Sequence, residues 1–337
     1  MFDRRALLSA FGAAALAPAG QLFAAQGGQV ALRGFNLVET DEVPFGSAAA
    51  KQSIEKLAGT GATAAAVIPF LWQETADAGD IEMGNALPPE RIVAGVEQLH
   101  AAGLAAIVKP HVWVPESWAG AIEPEATSRS RWYAAYGEIL QDVAKTAEQA
   151  KAEVLVIGTE LRGVSGASEW KAIIAKVRNT FSGRITYVAH GADEAEEVAF
   201  WPELDAVAVS LYPVLGADDA FGDWDRAMAE QLDRVEAVAR SFGKPVWIAE
   251  IGIRSAQGAA LKPWESAEER VSPPDMALQA QVLKHWLSAL EARGIRDVWI
   301  WRWFSDPEGG GPEDTDFTVQ NKTAQTAITQ CWHKSPA

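Results

Sequence analysis

Residues 154–160 read Val-Leu-Val-Ile-Gly-Thr-Glu, and residues 246–252 read Val-Trp-Ile-Ala-Glu-Ile-Gly. Each stretch is a short apolar run that leads up to a glutamate. Near-continuous apolar runs of this length are typical of parallel strands, because both faces of a parallel sheet are covered. Both stretches are therefore predicted to be buried strands of an α/β protein.

Six more runs of this kind bring the predicted strands to eight. In chain order they are 31–37, 62–70, 104–114, 153–160, 184–190, 205–212, 245–252 and 297–303. Amphipathic stretches with helical spacing separate them, and several of these end at a glycine just before the next strand. Eight strand–helix units predict a single-domain (β/α)8 barrel, or TIM barrel. The alternative is an open doubly wound sheet, but no G-x-G-x-x-G follows the first strand to support its dinucleotide-binding form.

The first 25 residues have the layout of an export signal. The pair Arg4–Arg5 precedes an apolar run, and small residues follow as far as Ala24–Ala25. This predicts a twin-arginine signal peptide over residues 1–25, with residues 26–337 as the barrel domain, exported to the periplasm or secreted. The alternative is an anchor helix, but a proline and a glycine interrupt the run, which falls short of the ~20 apolar residues of a bilayer span. No membrane span is expected after signal cleavage.

Composition and charge exclude several function classes. The chain has 337 residues and a formal net charge of −16, so its surface should repel phosphate backbones and no nucleic-acid partner is expected. Its single cysteine, Cys331, leaves no intrachain disulfide. The histidines form no H-x-H pair, and neither G-x-S-x-G nor a P-loop occurs, so we expect no metal and no cofactor. Glu313, Asp314 and Asp316 form either a solvated acidic loop or a calcium site; the first is favoured.

Two glutamates occupy predicted strand ends, where (β/α)8 barrels carry their chemistry. Glu160 ends the fourth strand and Glu250 lies at the end of the seventh. One interpretation pairs each with a nearby arginine, Arg162 or Arg254. Two such glutamates in one barrel favour the other interpretation, a catalytic pair that cleaves a glycosidic bond. If both point into the barrel mouth, their carboxyl groups should lie about 5–5.5 Å apart, the separation of a retaining double displacement.

Side chains near the other strand ends are candidates for binding a sugar. They are Asn36, Trp72, Lys109, His111, Trp113, His190, Tyr212, Trp301 and Trp303. Indole rings suit sugar faces, and Trp301 and Trp303 share a parity at the last strand end, so Trp303 is predicted to form the floor of the cleavage site. The lysine is expected either to hold a sugar hydroxyl or to tune a glutamate. The alternative for the two histidines is a hydrogen-bonded core position.

Several motifs in order resemble glycoside hydrolase family 113. They are Lys109–Trp113, Ile157–Leu161, Ile185–Tyr187, Phe200–Asp205, Ser210–Pro213 and Ala249–Gly252. The resemblance runs from about residue 31 to residue 330. It implies a retaining (β/α)8 enzyme acting on β-1,4-mannan, with Tyr212 donating to the nucleophile. Strand position, by analogy with other retaining barrels, assigns Glu160 as acid/base and Glu250 as nucleophile. Thr159 stands where many related barrels have an asparagine that binds the sugar 2-hydroxyl.

The sequence leaves three functions to separate. The first is a retaining β-glycosidase acting on a β-linked polysaccharide or oligosaccharide, with β-mannan as the leading substrate. The second is a non-catalytic glycan-binding barrel of the cell envelope. The third keeps the chemistry but acts on an exopolysaccharide, as a hydrolase or a transglycosylase.

Overall fold

A computed structural model describes residues 30–84 and 87–334. The predicted signal peptide, residues 1–25, lies outside the described residues. The strands, in chain order, are β1 (Arg33–Val38), β2 (Ala64–Val67), β3 (Phe70–Trp72), β4 (Glu82–Met83), β5 (Ala105–Val108), β6 (His111–Trp113), β7 (Val154–Thr159), β8 (Arg184–His190), β9 (Val207–Leu211), β10 (Val246–Ile251) and β11 (Val298–Phe304). Eight of these strands pair in parallel, in the order β1-β11-β10-β9-β8-β7-β5-β2, and close into a barrel. The predicted (β/α)8 barrel is therefore confirmed.

Helices surround the barrel. They are α1 (Ala48–Ala58), α2 (Pro89–Ala101), α3 (Arg129–Ala150), α4 (Trp170–Arg178), α5 (Gly191–Glu197), α6 (Phe221–Phe242), α7 (Met276–Ala292) and α8 (Thr323–Lys334). Local sequence sets several of their ends. The Asp275 carboxylate accepts from the Leu278 N–H at 2.8 Å and caps α7, while Gly243 takes φ +63° and ends α6. None of the helices in the described ranges combines the length and apolarity that a bilayer crossing would require.

The core has two layers, divided by the barrel wall. Alternate residues of each strand point inward, and most of the inward ones are small or β-branched, such as Ala64, Ala208 and Val156. The rings of Trp247 and Trp299, 6.1 Å apart, add bulk to this interior. The other residues of each strand pack outward against the helices in a larger apolar layer. The inner layer closes the barrel, so the chemistry is confined to the ends of the strands.

Two predicted strands are too long, and proline is the reason. The predicted runs 62–70 and 104–114 each contain a proline, Pro69 and Pro110, which lacks the N–H that a ladder needs. The barrel strands β2 and β5 stop before these prolines. Beyond them the chain continues as β3 and β6, which join β4 in a separate three-stranded sheet at the barrel mouth.

Three barrel strands carry an extra residue near their C-terminal ends. The register of β7 shifts between Val156 and Thr159, the extra residue of β10 is Ala249, and that of β11 is Arg302. A bulge re-aims the side chains that follow it, and bulges are common beside active sites. These strands carry Glu250, Trp301 and, directly after β7, Glu160.

Candidate active site

Adjacent strands bring the site residues to one level of the barrel. In the strand register Ser210 of β9 lies opposite Glu250 of β10 on one side and opposite His190 of β8 on the other. Glu160 follows β7 directly, and its carboxylate accepts a short hydrogen bond from the Ser210 hydroxyl. Both glutamates therefore belong to one pocket at the C-terminal ends of the strands.

Glu250 has a partner for each carboxylate oxygen. The Tyr212 hydroxyl donates to Oε1 at 2.8 Å, and the Lys109 ammonium makes a short ion pair with Oε2. The Glu250 side chain is 7% exposed and that of Lys109 is fully buried, so little water competes with this pair. Burial and the charges of both glutamates raise the pKa of Tyr212 well above its usual value, so its hydroxyl stays protonated and donates. These contacts fix the orientation of the carboxylate, with a donor at each of its two oxygens.

Asn36 and Lys109 lie beneath the site and do not line it, which corrects their prediction as sugar-binding residues. Neither side chain is exposed. The Asn36 amide donates to the carbonyls of Ala249 and Trp299, both at 3.3 Å, and its oxygen accepts from Lys109 Nζ at 2.9 Å. With these partners and no exposed surface, Asn36 orients the lysine, and the lysine binds the glutamate, the second of the two roles expected for it.

Glu160 is held by side chains from the next two strands. His190 Nδ1 lies 2.9 Å from Oε1, the oxygen that also accepts from Ser210. Within the described residues Oε2 has no hydrogen-bond partner, so it is available to a ligand. The Glu160 backbone has φ +56°, a left-handed conformation that is uncommon outside glycine and that clusters at functional sites.

Glu160 and His190 each stabilise the charged form of the other. Burial alone would raise the pKa of Glu160, but the hydrogen bond and charge of His190, with help from His111 and Ser210, outweigh it and hold that pKa at about 2. Burial opposes the charged form of His190 too, yet the contact with Glu160 raises the pKa of the imidazole. Because the two groups titrate together, the pair keeps one proton up to a pH above the ordinary imidazole value of about 6.5.

The His111 ring lies within electrostatic reach of both carboxylates. Burial lowers the pKa of its imidazole even though Glu250 and Glu160 both attract a proton to it. Its Nδ1 is buried and has no hydrogen-bond partner within the described residues. The ring lies 6.2 Å from that of Trp301, so the predicted histidine does reach the mouth of the barrel.

Trp301 and Trp303 lie on opposite sides of the barrel wall, which corrects the prediction for Trp303. The extra residue Arg302 breaks the parity expected for a regular strand. Trp303 is fully buried in the outer layer, where it packs 5.0 Å from Phe35 and donates to Ser53 Oγ at 2.9 Å. Trp301 stays partly exposed, and Lys109 Nζ lies 5.5 Å above its ring. Trp301, and not Trp303, is therefore the ring of this strand that faces the mouth of the barrel.

Three exposed tryptophans extend the site in two directions. Trp72 and Trp113 pair in register in the mouth sheet and are 41% and 55% exposed. They share a face with Phe70 and His111, which connects them to Trp301. Trp118, 42% exposed, lies on the other side with its ring 4.7 Å from that of His190. Exposed indole faces beside such a site are suited to stacking against sugar rings.

The arginines proposed as alternative partners do not bind the glutamates. Arg254 is buried and donates to the carbonyls of Thr315, Ser266 and Arg270. Arg162 lies near His190, and its charge lowers the pKa of that imidazole. The glutamates are thus paired with groups that can orient or protonate them, and this arrangement suits acid–base and nucleophilic chemistry better than a structural ion pair.

Comparisons with known proteins identify the family. The sequence profile of Glycoside Hydrolase Family 113 matches residues 37–322, most of the chain. The chain belongs to glycoside hydrolase family 113. No curated protein sequence matches the chain.

Solved structures share the family 113 fold. A GH113 β-1,4-mannanase complex superimposes with a TM-score of 0.79 and 23% identity, over 91% of this chain and 100% of that one. The GH113 β-mannanase AaManA from Alicyclobacillus acidocaldarius, solved in complex with ManMIm, gives a TM-score of 0.76 and 21% identity, over 90% and 98%. The β-glucuronidase from Ruminococcus gnavus is more distant, with a TM-score of 0.62, 13% identity and coverage of 90% of this chain but 50% of that one.

Thr159 occupies the position where many related barrels have an asparagine that binds the sugar 2-hydroxyl. Thr159 cannot hold a sugar 2-hydroxyl, because it is buried and its hydroxyl donates to the Pro110 carbonyl at 3.0 Å.

Ser210 was not among the predicted site residues. Its signal in the sequence is the shared parity with Tyr212, two residues later on the same strand, but serine is too common in buried strands for parity alone to single it out.

The acidic loop after the last barrel strand is paired with cations of the protein. Asp314 accepts from Lys322 Nζ at 2.7 Å, and Asp316 makes a short ion pair with Arg302. Within the described residues no group of three or more histidine, cysteine or acidic side chains is placed to hold a metal ion. These salt bridges tie the loop to the barrel wall beside Trp301.

Proposed function

We propose that this family 113 glycoside hydrolase is a retaining endo-β-mannanase that cleaves β-1,4-mannan by double displacement. The observation that carries the proposal is the different surroundings of its two glutamates in one pocket. Glu250 is paired with an ammonium and a protonated phenol. Glu160 is hydrogen-bonded to the His190 imidazole, and its Oε2 has no hydrogen-bond partner among the described residues. The two carboxyl groups differ in their partners, one bound to a fixed cation and the other to a histidine that can supply a proton, as nucleophile and acid roles require.

The first step uses both groups at once. Glu250 attacks the anomeric carbon, while the proton held by Glu160 and His190 moves through Glu160 to the glycosidic oxygen, and the leaving sugar departs. A covalent glycosyl–Glu250 intermediate remains. In the second step Glu160 accepts a proton from a water molecule, which attacks the same carbon and releases the sugar with its original anomeric configuration.

The substrate assignment rests on the aromatic surfaces and on the family. Solved GH113 structures with this fold are described as β-mannanases, which supports β-mannan for this chain. Aromatic rings extend from Trp301 through His111 and Phe70 to Trp72 and Trp113, and Trp118 lies beside His190. A chain of sugars bound across both sides would be cut internally, which favours endo action.

A substrate panel with glutamate variants tests the proposal. The purified enzyme should release reducing ends from β-1,4-mannan, and Glu160→Gln and Glu250→Gln should each reduce that rate by about a thousandfold or more. Glu138→Gln, on an exposed position of α3, is the matched control and should keep full activity. Binding of mannan without turnover would support the glycan-binding alternative instead. Turnover only on an exopolysaccharide, or transfer products in place of hydrolysis, would contradict the mannanase assignment.

Export remains part of this proposal. A twin-arginine signal over residues 1–25 would carry the folded enzyme to the periplasm or beyond, where its polysaccharide substrate would be found. Fractionation of cells should place the enzyme outside the cytoplasm. A double Arg4→Lys, Arg5→Lys variant should accumulate inside, and an unchanged distribution would argue against this route.

A further inference from the structure

A second buried carboxyl group lies directly behind Glu160, and the proposed reaction does not use it. Glu194 of α5 has no exposed surface. Its Oε1 accepts from the Tyr187 hydroxyl at 2.5 Å, and its Oε2 accepts from the backbone N–H of His190 at 2.6 Å. Burial raises the pKa of Glu194 in spite of these hydrogen bonds. A buried carboxyl group is costly unless its hydrogen bonds are needed.

Tyr187 connects this carboxyl group to the backbone of the acid/base residue. Its hydroxyl accepts from the N–H of Leu161 at 2.8 Å while donating to Glu194. Leu161 follows Glu160, whose left-handed backbone costs free energy that its surroundings must offset. Gly158 makes room for this contact, since a Cβ at that position would lie 2.9 Å from the Tyr187 ring.

These contacts close into a ring. The ring runs from the Leu161 N–H to the Tyr187 hydroxyl, to Glu194, to the His190 N–H, and through the His190 imidazole back to the Glu160 carboxylate. Both the backbone after Glu160 and its carboxylate are therefore held by one connected network. Hydrogen bonds in such a buried network polarise and rigidify one another.

We propose that Glu194 and Tyr187 are positioning residues that hold Glu160 where it protonates the leaving oxygen. The inference rests on the proposed function, because it assumes that Glu160 is the acid. Neither residue touches the substrate, since both are fully buried behind Glu160. Their effect should therefore appear in the step that needs a correctly placed proton, and not in substrate binding.

The test compares two substrates that differ in their need for an acid. Tyr187→Phe and Glu194→Gln are assayed on a β-1,4-mannooligosaccharide, whose sugar leaving group needs protonation, and on 2,4-dinitrophenyl β-mannoside, whose leaving group does not. The ratio kcat/KM reports the steps up to formation of the glycosyl–enzyme, which is where the acid acts. We expect kcat/KM on the oligosaccharide to fall about 10- to 100-fold, through kcat, and kcat/KM on the aryl mannoside to stay within about 3-fold of wild type.

Tyr136→Phe is the matched control. Tyr136 is as buried as Tyr187. Its hydroxyl donates at 2.8 Å to the Ile157 carbonyl of β7, the strand that leads to Glu160, and this contact lies outside the ring. It should lose similar thermal stability and keep kcat/KM on both substrates. Tyr187→Phe removes one oxygen atom, so it carries the test if Glu194→Gln does not fold.

The outcomes separate this inference from the proposed function. Equal losses on both substrates would reduce the ring to a general structural role and overturn the inference, as would no loss on either. Wild-type enzyme inactive on both substrates would overturn the mannanase assignment itself, and the inference with it. Selective loss on the oligosaccharide alone supports both.

Discussion

Replacing Lys109 with methionine tests the buried pair at the base of the site. The Lys109 side chain is fully buried and that of Glu250 is 7% exposed, so removing the ammonium leaves a carboxylate with one hydrogen-bond donor, Tyr212, and almost no water. Asn36 Oδ1 loses a donor at the same time. Breaking a buried pair by removing one partner costs about 3–5 kcal/mol, and we expect the free energy of unfolding to fall by that amount at pH 7.

The assay is urea unfolding of four proteins: wild type, Lys109→Met, Glu250→Gln and the double variant. If the cost arises from an unpaired charge, Glu250→Gln should restore much of the stability lost in Lys109→Met, so the two changes will not be additive. Lys145→Met, at an exposed lysine, is the control and should stay within about 0.5 kcal/mol of wild type. A loss under about 1 kcal/mol in Lys109→Met, or a double variant less stable than either single one, would refute this account of the pair.

Three further predictions concern the acid, the two tryptophans of β11 and the aromatic surface. The alkaline limb of the kcat/KM profile should lie above the ordinary imidazole pKa of about 6.5. The reason is that the raised pKa of His190 keeps the proton of the Glu160–His190 pair until the pH rises through it. A limb below pH 6 that does not move in His190→Gln would contradict the pairing. Trp303→Ala should cost about 3–5 kcal/mol of unfolding free energy and leave kcat/KM of the folded enzyme unchanged. Trp301→Ala should instead lower kcat/KM. The reverse pattern would be inconsistent with the bulge at β11. Trp72→Ala and Trp113→Ala should each lower kcat/KM on long mannooligosaccharides about 5- to 10-fold without affecting an aryl monomannoside, and equal loss on both would argue against an extended stacking surface.

The fold was predictable because the signal that decides it repeats. Each barrel strand is buried on both faces, so it appears in the sequence as an apolar run, and eight such runs define the barrel. The ends of the strands were harder to predict, because apolar residues continue past Pro69 and Pro110, where the hydrogen-bond ladder of the barrel stops. The prolines mark the break, but nothing local in the sequence states that the chain beyond them forms a second sheet.

The site was predictable where a residue type is costly in its position. Glu160 and Glu250 stand out because burying an acidic side chain at the end of an apolar run costs free energy, so such a position indicates a function. The parity rule failed at Trp303 because one extra residue at Arg302 reverses which side chains face inward, and bulges leave no reliable local signature. The ring around Glu194 depends on contacts between three elements, and the sequence contains no spacing that reveals it.

Trapping the covalent intermediate tests the central claim most directly. The enzyme is incubated with 2-deoxy-2-fluoro-β-mannosyl fluoride, whose fluorine slows the second step, and the labelled peptide is identified by mass spectrometry. We expect stoichiometric inactivation with one fluoromannosyl group on Glu250, and none in Glu250→Gln. A label on any other residue, or hydrolysis that inverts the anomeric configuration without a covalent adduct, would contradict the assignment of the two glutamates.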